Sequence, residues 1–124
     1  MILVDTSVWI DHFRNGVSPL AALLDNARVL MHPFVLGEIA CGNLRNRQET
    51  LRLLSGLPHA PEASNAEVMT FIETNNLMGK GIGFVDAHLL AAVALAADAR
   101  LWTHDRRLDQ ASTKLSLAYA PEKT

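Results

Sequence analysis

Four apolar residues, Met1-Ile2-Leu3-Val4, open the chain and stop at Asp5-Thr6-Ser7. An uninterrupted apolar run this short suits a strand covered on both faces, the central position of a parallel sheet. The strand ends where the polar residues begin, which puts Asp5 at its C-terminal edge. In open α/β sheets that edge is where ligands bind. Asp5 is therefore the first candidate ligand of a metal site, and the rest of the chain has to supply its partners.

Behind this strand, Thr6 or Ser7 caps a helix through Phe13, with Trp9 and Phe13 four apart on an inward face. Asn15-Gly16 ends it, and Pro19 starts a short helix carrying Leu20, Leu23 and Leu24. Arg28 to Met31 reads as a second strand, stopped at His32-Pro33. From Phe34 to Arg45 a helix is expected in which Glu38 shares its face with Phe34, Val35, Cys41 and Gly42. A carboxylate among such residues is costly to bury unless something pairs with it. Gly37 and Gly42 lower helix propensity and suggest that another backbone passes close by.

Gln48 to Leu57 continues as an amphipathic helix, and Pro58 and Pro61 bracket a loop or very short strand. Ser64-Asn65-Ala66-Glu67 matches a capping box and opens a helix to about Leu77. Gly79-Lys80-Gly81-Ile82-Gly83 is a glycine-rich connector, without the ending or the preceding strand of a phosphate-binding P-loop. As a mobile loop it would offer Lys80 to a phosphate. Val85 to Asp98 is apolar nearly all round, and Asp86 heads its stripe Leu89, Leu90, Val93 and Ala97, the face expected on the sheet. Leu101-Trp102-Thr103 is a strand followed by Asp105, as the first strand is followed by Asp5. Arg106 to Ser112 is helical, and Leu115 to Tyr119 forms an edge strand before Pro121 and a polar tail.

Strands separated by helices predict a three-layer α/β/α sandwich with a central, mainly parallel sheet. Right-handed crossovers would bring the ends of the Asp5 and Asp105 strands to one edge. With 124 residues the chain supports one core and is too short for two, so a single domain over 1–124 is expected. Cys41 is the lone cysteine, which excludes a disulfide framework and a cysteine-based zinc cluster. The opening apolar run is too short and lacks the basic leader of a signal peptide, and the segment Ala87 to Ala97 is too short to span a bilayer. A soluble cytoplasmic protein with no membrane role is the expectation. The formal net charge of −2 rules out a grip on nucleic acid by bulk electrostatics. Any such role must rest on local cations or on metal ions. The candidate phosphate contacts are Arg14, Arg45, Arg47, Lys80, Arg106 and Arg107, with Arg106 and Arg107 favoured because they adjoin Asp105.

Glu38 and Asp86 join Asp5 and Asp105 as candidate site residues. Taken singly, an Asp after a strand or at a helix start serves equally as a turn or cap residue. Brought together, four carboxylates repel one another and call for a divalent cation. Oxygen-only ligands favour Mg²⁺, with Mn²⁺ as substitute, over zinc. Asp11, Asp25, Asp98 and Asp109 read as ordinary solvated acids, and His104 is a rival general base.

The motifs Val4-Asp5-Thr6-Ser7-Val8-Trp9, Gly37-Glu38-Ile39, Val85-Asp86-Ala87-His88 and Thr103-His104-Asp105-Arg106-Arg107 occur in family-like order and spacing. In them the chain resembles PIN-domain ribonucleases, and more narrowly the VapC toxins of bacterial type II toxin–antitoxin pairs. The resemblance implies a Mg²⁺-dependent endoribonuclease that hydrolyses phosphodiesters with a metal-activated water. Its acidic quartet would be Asp5, Glu38, Asp86 and Asp105, with Asp5 and Asp86 the commonest metal ligands. Asp105 would join them or position the water, and Glu38 would act through water. Thr103 matches the hydroxyl residue two before the last acid, and Thr6 lies beside the first; either would fix a carboxylate rotamer. The resemblance also implies a homodimer and a VapB-like antitoxin whose C-terminal segment enters the active-site groove, for which Val8, Trp9 and Leu36 are candidate lining. Two other readings stand beside it. One is a catalytically inactive antitoxin-binding module. The other is a small-molecule phosphohydrolase of the haloacid-dehalogenase type, whose motif wants a second Asp where Ser7 stands.

Overall fold

A computed structural model describes residues 1–121. Its centre is the opening strand, β1 (Ile2–Val4), in which every residue is buried. Parallel neighbours lie on both sides: β2 (Val29–Leu30) pairs with Ile2 and Leu3, and β3 (Arg100–Trp102) with all of β1, giving the order β2-β1-β3. The apolar run does not alternate because both faces of this strand are covered. Each buried aliphatic side chain removed from water contributes roughly 1.5–3 kcal/mol.

The sheet extends at each edge by a single bridge, Met31 to His59 and Leu101 to Ala118. The expected edge strand from Leu115 to Tyr119 is thus reduced to one bridge, held by Leu101 N–H on Leu117 O and Tyr119 N–H on Leu101 O, each at 2.8 Å. The chain enters it from a turn at Ser116, whose φ of 60° interrupts the extended path.

Between the strands run α1 (Thr6–Asn15), α2 (Ser18–Asp25), α3 (Pro33–Ala40), α4 (Arg47–Ser55), α5 (Asn65–Thr74) and α6 (Phe84–Leu95), and α7 (Arg106–Lys114) follows β3. Helix α1 packs on α3, α3 on α4, and α5 on α6, while α6 also lies against β3. Covered by strand and helix, residues 87–93 of α6 are buried without a break. The arrangement is the three-layer α/β/α sandwich with a parallel sheet.

Several boundaries move for local reasons. The cap of α1 is Asp5 itself, not Thr6 or Ser7, and its side chain makes no capping hydrogen bond. Phe13 is 40% exposed; it stacks on buried Trp9 at 5.8 Å but continues outward. Helix α3 stops at Ala40, not Arg45, and the Arg47 guanidinium donates back to the carbonyl groups of Ala40 and Gly42. Glu38 does not lie on a buried stripe. Val35 and Ile39, one turn apart, take the inward face, which leaves Glu38 exposed along with Phe34, Cys41 and Gly42. The close backbone approach expected at Gly37 and Gly42 is also missing. A Cβ at Gly37 would meet nothing within 4 Å, and one at Gly42 only the Ile39 carbonyl of its own turn. The capping box at Ser64 and Glu67 forms as expected, but α5 ends at Thr74, where Asn75 caps it and Asn76 turns left-handed at φ 54°.

Candidate active site

The connections after β1 and β3 leave in opposite directions, the first toward β2 and the second toward the outer bridge at Ala118. The crevice between the C-terminal ends of those two strands is a topological switch point. Asp5 caps α1 on one side of it and Asp105 caps α7 on the other.

Two hydroxyl groups stitch the strand ends together. Ser7 Oγ and Thr103 Oγ1 both donate to Asp5 Oδ2, at 2.7 and 2.8 Å. With its proton so used, each hydroxyl accepts from a backbone N–H: Ser7 from His104 at 3.0 Å, Thr103 from Asp105 at 3.0 Å. Asp5 is only 7% exposed, so these bonds replace lost solvation and hold its carboxylate in one orientation.

The other acids are fixed in a parallel manner. Asp105 Oδ1 accepts from Leu108 N at 2.9 Å, an N-cap contact at the positive end of α7. Asp86 stands in the first turn of α6, and its Oδ2 accepts from Gly83 N at 3.1 Å. Glu38 Oε1 accepts from Thr6 Oγ1 at 2.7 Å, which ties α3 to the start of α1. In all four cases one carboxylate oxygen is committed, and the second has no hydrogen-bond partner among the described residues.

Asp86 reports that these groups share a neighbourhood. Burial pushes its pKa above the ordinary 3.8, the amide of Gly83 opposes this, and the charges of Asp5, Asp105 and Glu38 each push it further up. None of the four acids forms a salt bridge with Lys or Arg among the described residues, where the ion pairs are Arg52 with Glu49 and His104 with Asp11. Nor are three or more His, Cys, Asp or Glu side chains among the described residues gathered tightly enough to form a finished metal cage. A set of oxygen donors with one free atom each, mutually repelling and without a basic partner, still has the chemistry that a hard divalent cation takes.

Thr103 and Thr6 lie beside carboxylates, but crosswise: Thr103 bonds the carboxylate of Asp5 and only the backbone amide of Asp105, and Thr6 bonds the carboxylate of Glu38 rather than that of Asp5. Ser7 is the residue that sequence reasoning missed; the signal was a hydroxyl two residues after a strand-terminal acid. His104 places Nδ1 on Asp11 and its ring edge against Trp102. Val8 and Trp9 are core residues, 0% and 1% exposed, and line no groove. The side chains beside Glu38 are instead Ile10, Phe13, Arg14 and Leu44, around a cleft of about 190 Å³. Arg14 and Arg45 line an adjoining hollow, Lys80 and Arg107 line another beyond the start of α7, and Arg106 is exposed at that helix's first position. Arg47 is engaged in closing α3 and is not free for phosphate.

A parallel three-layer sandwich with acids at the switch point defines an α/β class of protein in which the strand ends carry the chemistry. The family description "PIN domain" matches residues 2–114. Ribonuclease VapC32 of Mycobacterium tuberculosis, from strains CDC 1551/Oshkosh and ATCC 25618/H37Rv, is 43% identical over 122 residues, 98% of either chain. The chain belongs to the VapC-type PIN-domain ribonucleases, as its motifs implied. The crystal structure of FitAcB from Neisseria gonorrhoeae has the same fold, with a TM-score of 0.58 over 91% of this chain and 94% of that one, at 19% identity.

Proposed function

We propose that this protein is a Mg²⁺-dependent endoribonuclease and the toxin of a type II toxin–antitoxin pair, with RNA as substrate, a VapB-like antitoxin as partner and a homodimer as its own assembly. The observation that carries the reading is Asp86, raised in pKa first by burial and then by the charges of Asp5, Asp105 and Glu38, with no basic partner among the described residues. An acid kept in that setting serves a cation better than it serves the fold.

Asp5, Asp86 and Asp105 would hold the ion, with Glu38 acting through water. When bound, Mg²⁺, or Mn²⁺ in its place, supplies Lewis acidity to a phosphoryl oxygen and counter-charge to the acids. Ser7, Thr103 and the amides of Gly83 and Leu108 fix the committed oxygens, so that the free ones need little reorganisation. Glu38, exposed and bonded at Oε1 by Thr6, would receive a proton from attacking water. Attack by water rather than by the ribose 2′-hydroxyl leaves a 5′-phosphate and a 3′-hydroxyl.

The test is purified protein with total RNA and Mg²⁺, the new 5′ ends being mapped for wild type and Asp5→Asn side by side. New 5′-phosphate ends in the wild type alone, lost in EDTA, are expected. Recovery of 2′,3′-cyclic phosphates would sink the mechanism. An inactive antitoxin-binding module would leave RNA intact in both samples. A phosphohydrolase of the dehalogenase type would yield a covalent aspartyl-phosphate, for which Ser7 leaves no partner acid.

A further inference from the structure

A cleft of about 470 Å³ lies between α7 and the end of α5. Its walls carry three cations, Lys80, Arg107 and Lys114, and its lining contains no carboxylate. None of the three cations is in a salt bridge among the described residues. On a chain of net charge −2, three free cations around one hollow are an uneven distribution. The floor is apolar, from Leu77 and Ala111, while Asn76 and Gln110 bring side-chain amides to the walls. Cations for phosphate, amides for base edges and an apolar floor are the elements that recognise a nucleotide.

Arg107 links the cleft to the start of α7, which Asp105 caps. Arg107 stands two residues after Asp105, and its side chain lies across Gly81, where an added Cβ would be 2.5 Å from Cδ and from Nη1. Gly81 in turn is two residues before Gly83, whose amide holds Asp86. From Arg107 to Lys114 is seven residues along one helix, roughly 10 Å. That length offers charge to the strand at more than one position along its backbone.

We propose that this cleft is a phosphodiester subsite for the RNA strand, holding nucleotides beside the one that is cut. The proposal rests on the ribonuclease reading above and adds Lys114, Gln110 and Asn76 to the residues that meet RNA. Lys80, Arg107 and Lys114 neutralise backbone phosphates, and the amides contact a base held off the acidic edge. The same chemistry would suit a free mononucleotide, so the test has one arm for each source.

The probe is a fluorescein-labelled RNA pool of mixed sequence, bound by Asp5→Asn protein with Mg²⁺ and followed by anisotropy across a salt series. For a single strand, each phosphate contact contributes about 0.7 to the slope of log affinity against log salt. Lys80→Ala with Lys114→Ala should therefore flatten that slope by about 1.4. Arg28→Ala, an exposed cation at the opposite, N-terminal end of β2, should leave it unchanged. Circular dichroism on every variant establishes that the helices are intact. The second arm titrates adenosine 5′-monophosphate, for which no saturable binding is expected.

An unchanged slope in the double variant, in a protein whose wild type cleaves RNA, overturns the subsite and leaves the ribonuclease reading standing. A folded wild type that neither binds nor cleaves RNA overturns both. Mononucleotide binding that is lost in the double variant while the RNA slope is kept assigns the cleft to a small ligand and overturns the proposal. Loss of antitoxin pairing alone, again with the RNA slope kept, makes it a protein-docking surface and overturns it equally.

Discussion

Two hydroxyl protons end on one oxygen of Asp5, from Ser7 and from Thr103, and Ser7 also receives the amide of His104. Ser7→Ala removes a donor to a buried carboxylate, at a cost of about 1–3 kcal/mol. Metal affinity or turnover should fall about 10–100-fold, the usual effect of losing a group that orients a ligand. Thr6→Ala frees only the exposed Glu38 and should change stability by no more than about 0.5 kcal/mol. Thermal melts and Mg²⁺ titrations on the two variants check both; a Ser7→Ala protein indistinguishable from wild type would show that Thr103 alone orients Asp5. Asp86 gives a prediction with a sign. Its folded pKa lies above the ordinary 3.8, so the folded state holds a proton that the unfolded chain releases. Metal-free stability from this group is fully present below that ordinary value and is lost as pH rises through the raised one. At neutral pH Asp86→Asn should therefore melt higher than wild type without metal and should gain little on adding Mg²⁺. His32 and His88, held below 6.5 by burial, act oppositely as pH falls below that value, so wild type and variant are compared pH by pH.

At the scale of elements, what was legible followed from period and punctuation. The unbroken run of β1 and the capping box of α5 each formed where a local rule placed them, while the helix expected over Val85 to Asp98 runs Phe84–Leu95, because Ala96 is extended and Asp98 left-handed at φ 59°. The acids at the ends of β1 and β3 were legible for the same reason: a strand stops where polarity begins. Glu38 was misplaced because its neighbours in sequence are apolar, while the phase that decides burial is set by Val35 and Ile39. The crosswise bonds of Thr6 and Thr103 join segments 32 and 98 residues apart, and no local spacing encodes such partners. Nor did the sequence distinguish Gly81, where the left-handed backbone favours glycine and the end of the Arg107 side chain lies against it, from Gly37, where neither holds. Gly81 has φ 78° and Arg107 against it, whereas Gly79 has φ 70° and open space. Gly79→Ala should cost only the left-handed backbone, about 1–2 kcal/mol. Gly81→Ala should cost more and displace Arg107. Denaturant melts of the pair separate the two terms, and equal losses would mean that Arg107 swings aside freely.

Around the switch point the charges fall into groups. Acids gather at the switch point, Lys80, Arg107 and Lys114 flank one side, and Arg14 and Arg45 flank the other. Between Arg14 and Glu38 the surface turns apolar at Ile10 and Phe13, each 40% exposed, beside the cleft that also holds Leu44. RNA gains little from aliphatic surface, but an amphipathic protein segment can bury it and send an Arg toward the carboxylates. An antitoxin seated there would cover Glu38 and bar RNA from the acids in one step. Phe13→Glu should then separate toxicity from its control. The side chain is 40% exposed and gives up its stack on Trp9, so the fold should lose about 0.5–1.5 kcal/mol. A glutamate beside Glu38 would oppose an apolar segment by burial and would weaken pairing by about tenfold or more, since 1.4 kcal/mol suffices for that factor. Cleavage of RNA by the free protein should persist. Inhibition curves with the cognate antitoxin, on preparations whose uninhibited rates match, measure the difference. Identical curves for wild type and Phe13→Glu would place the antitoxin on another face, and the apolar strip beside Glu38 would then have to be covered by something else.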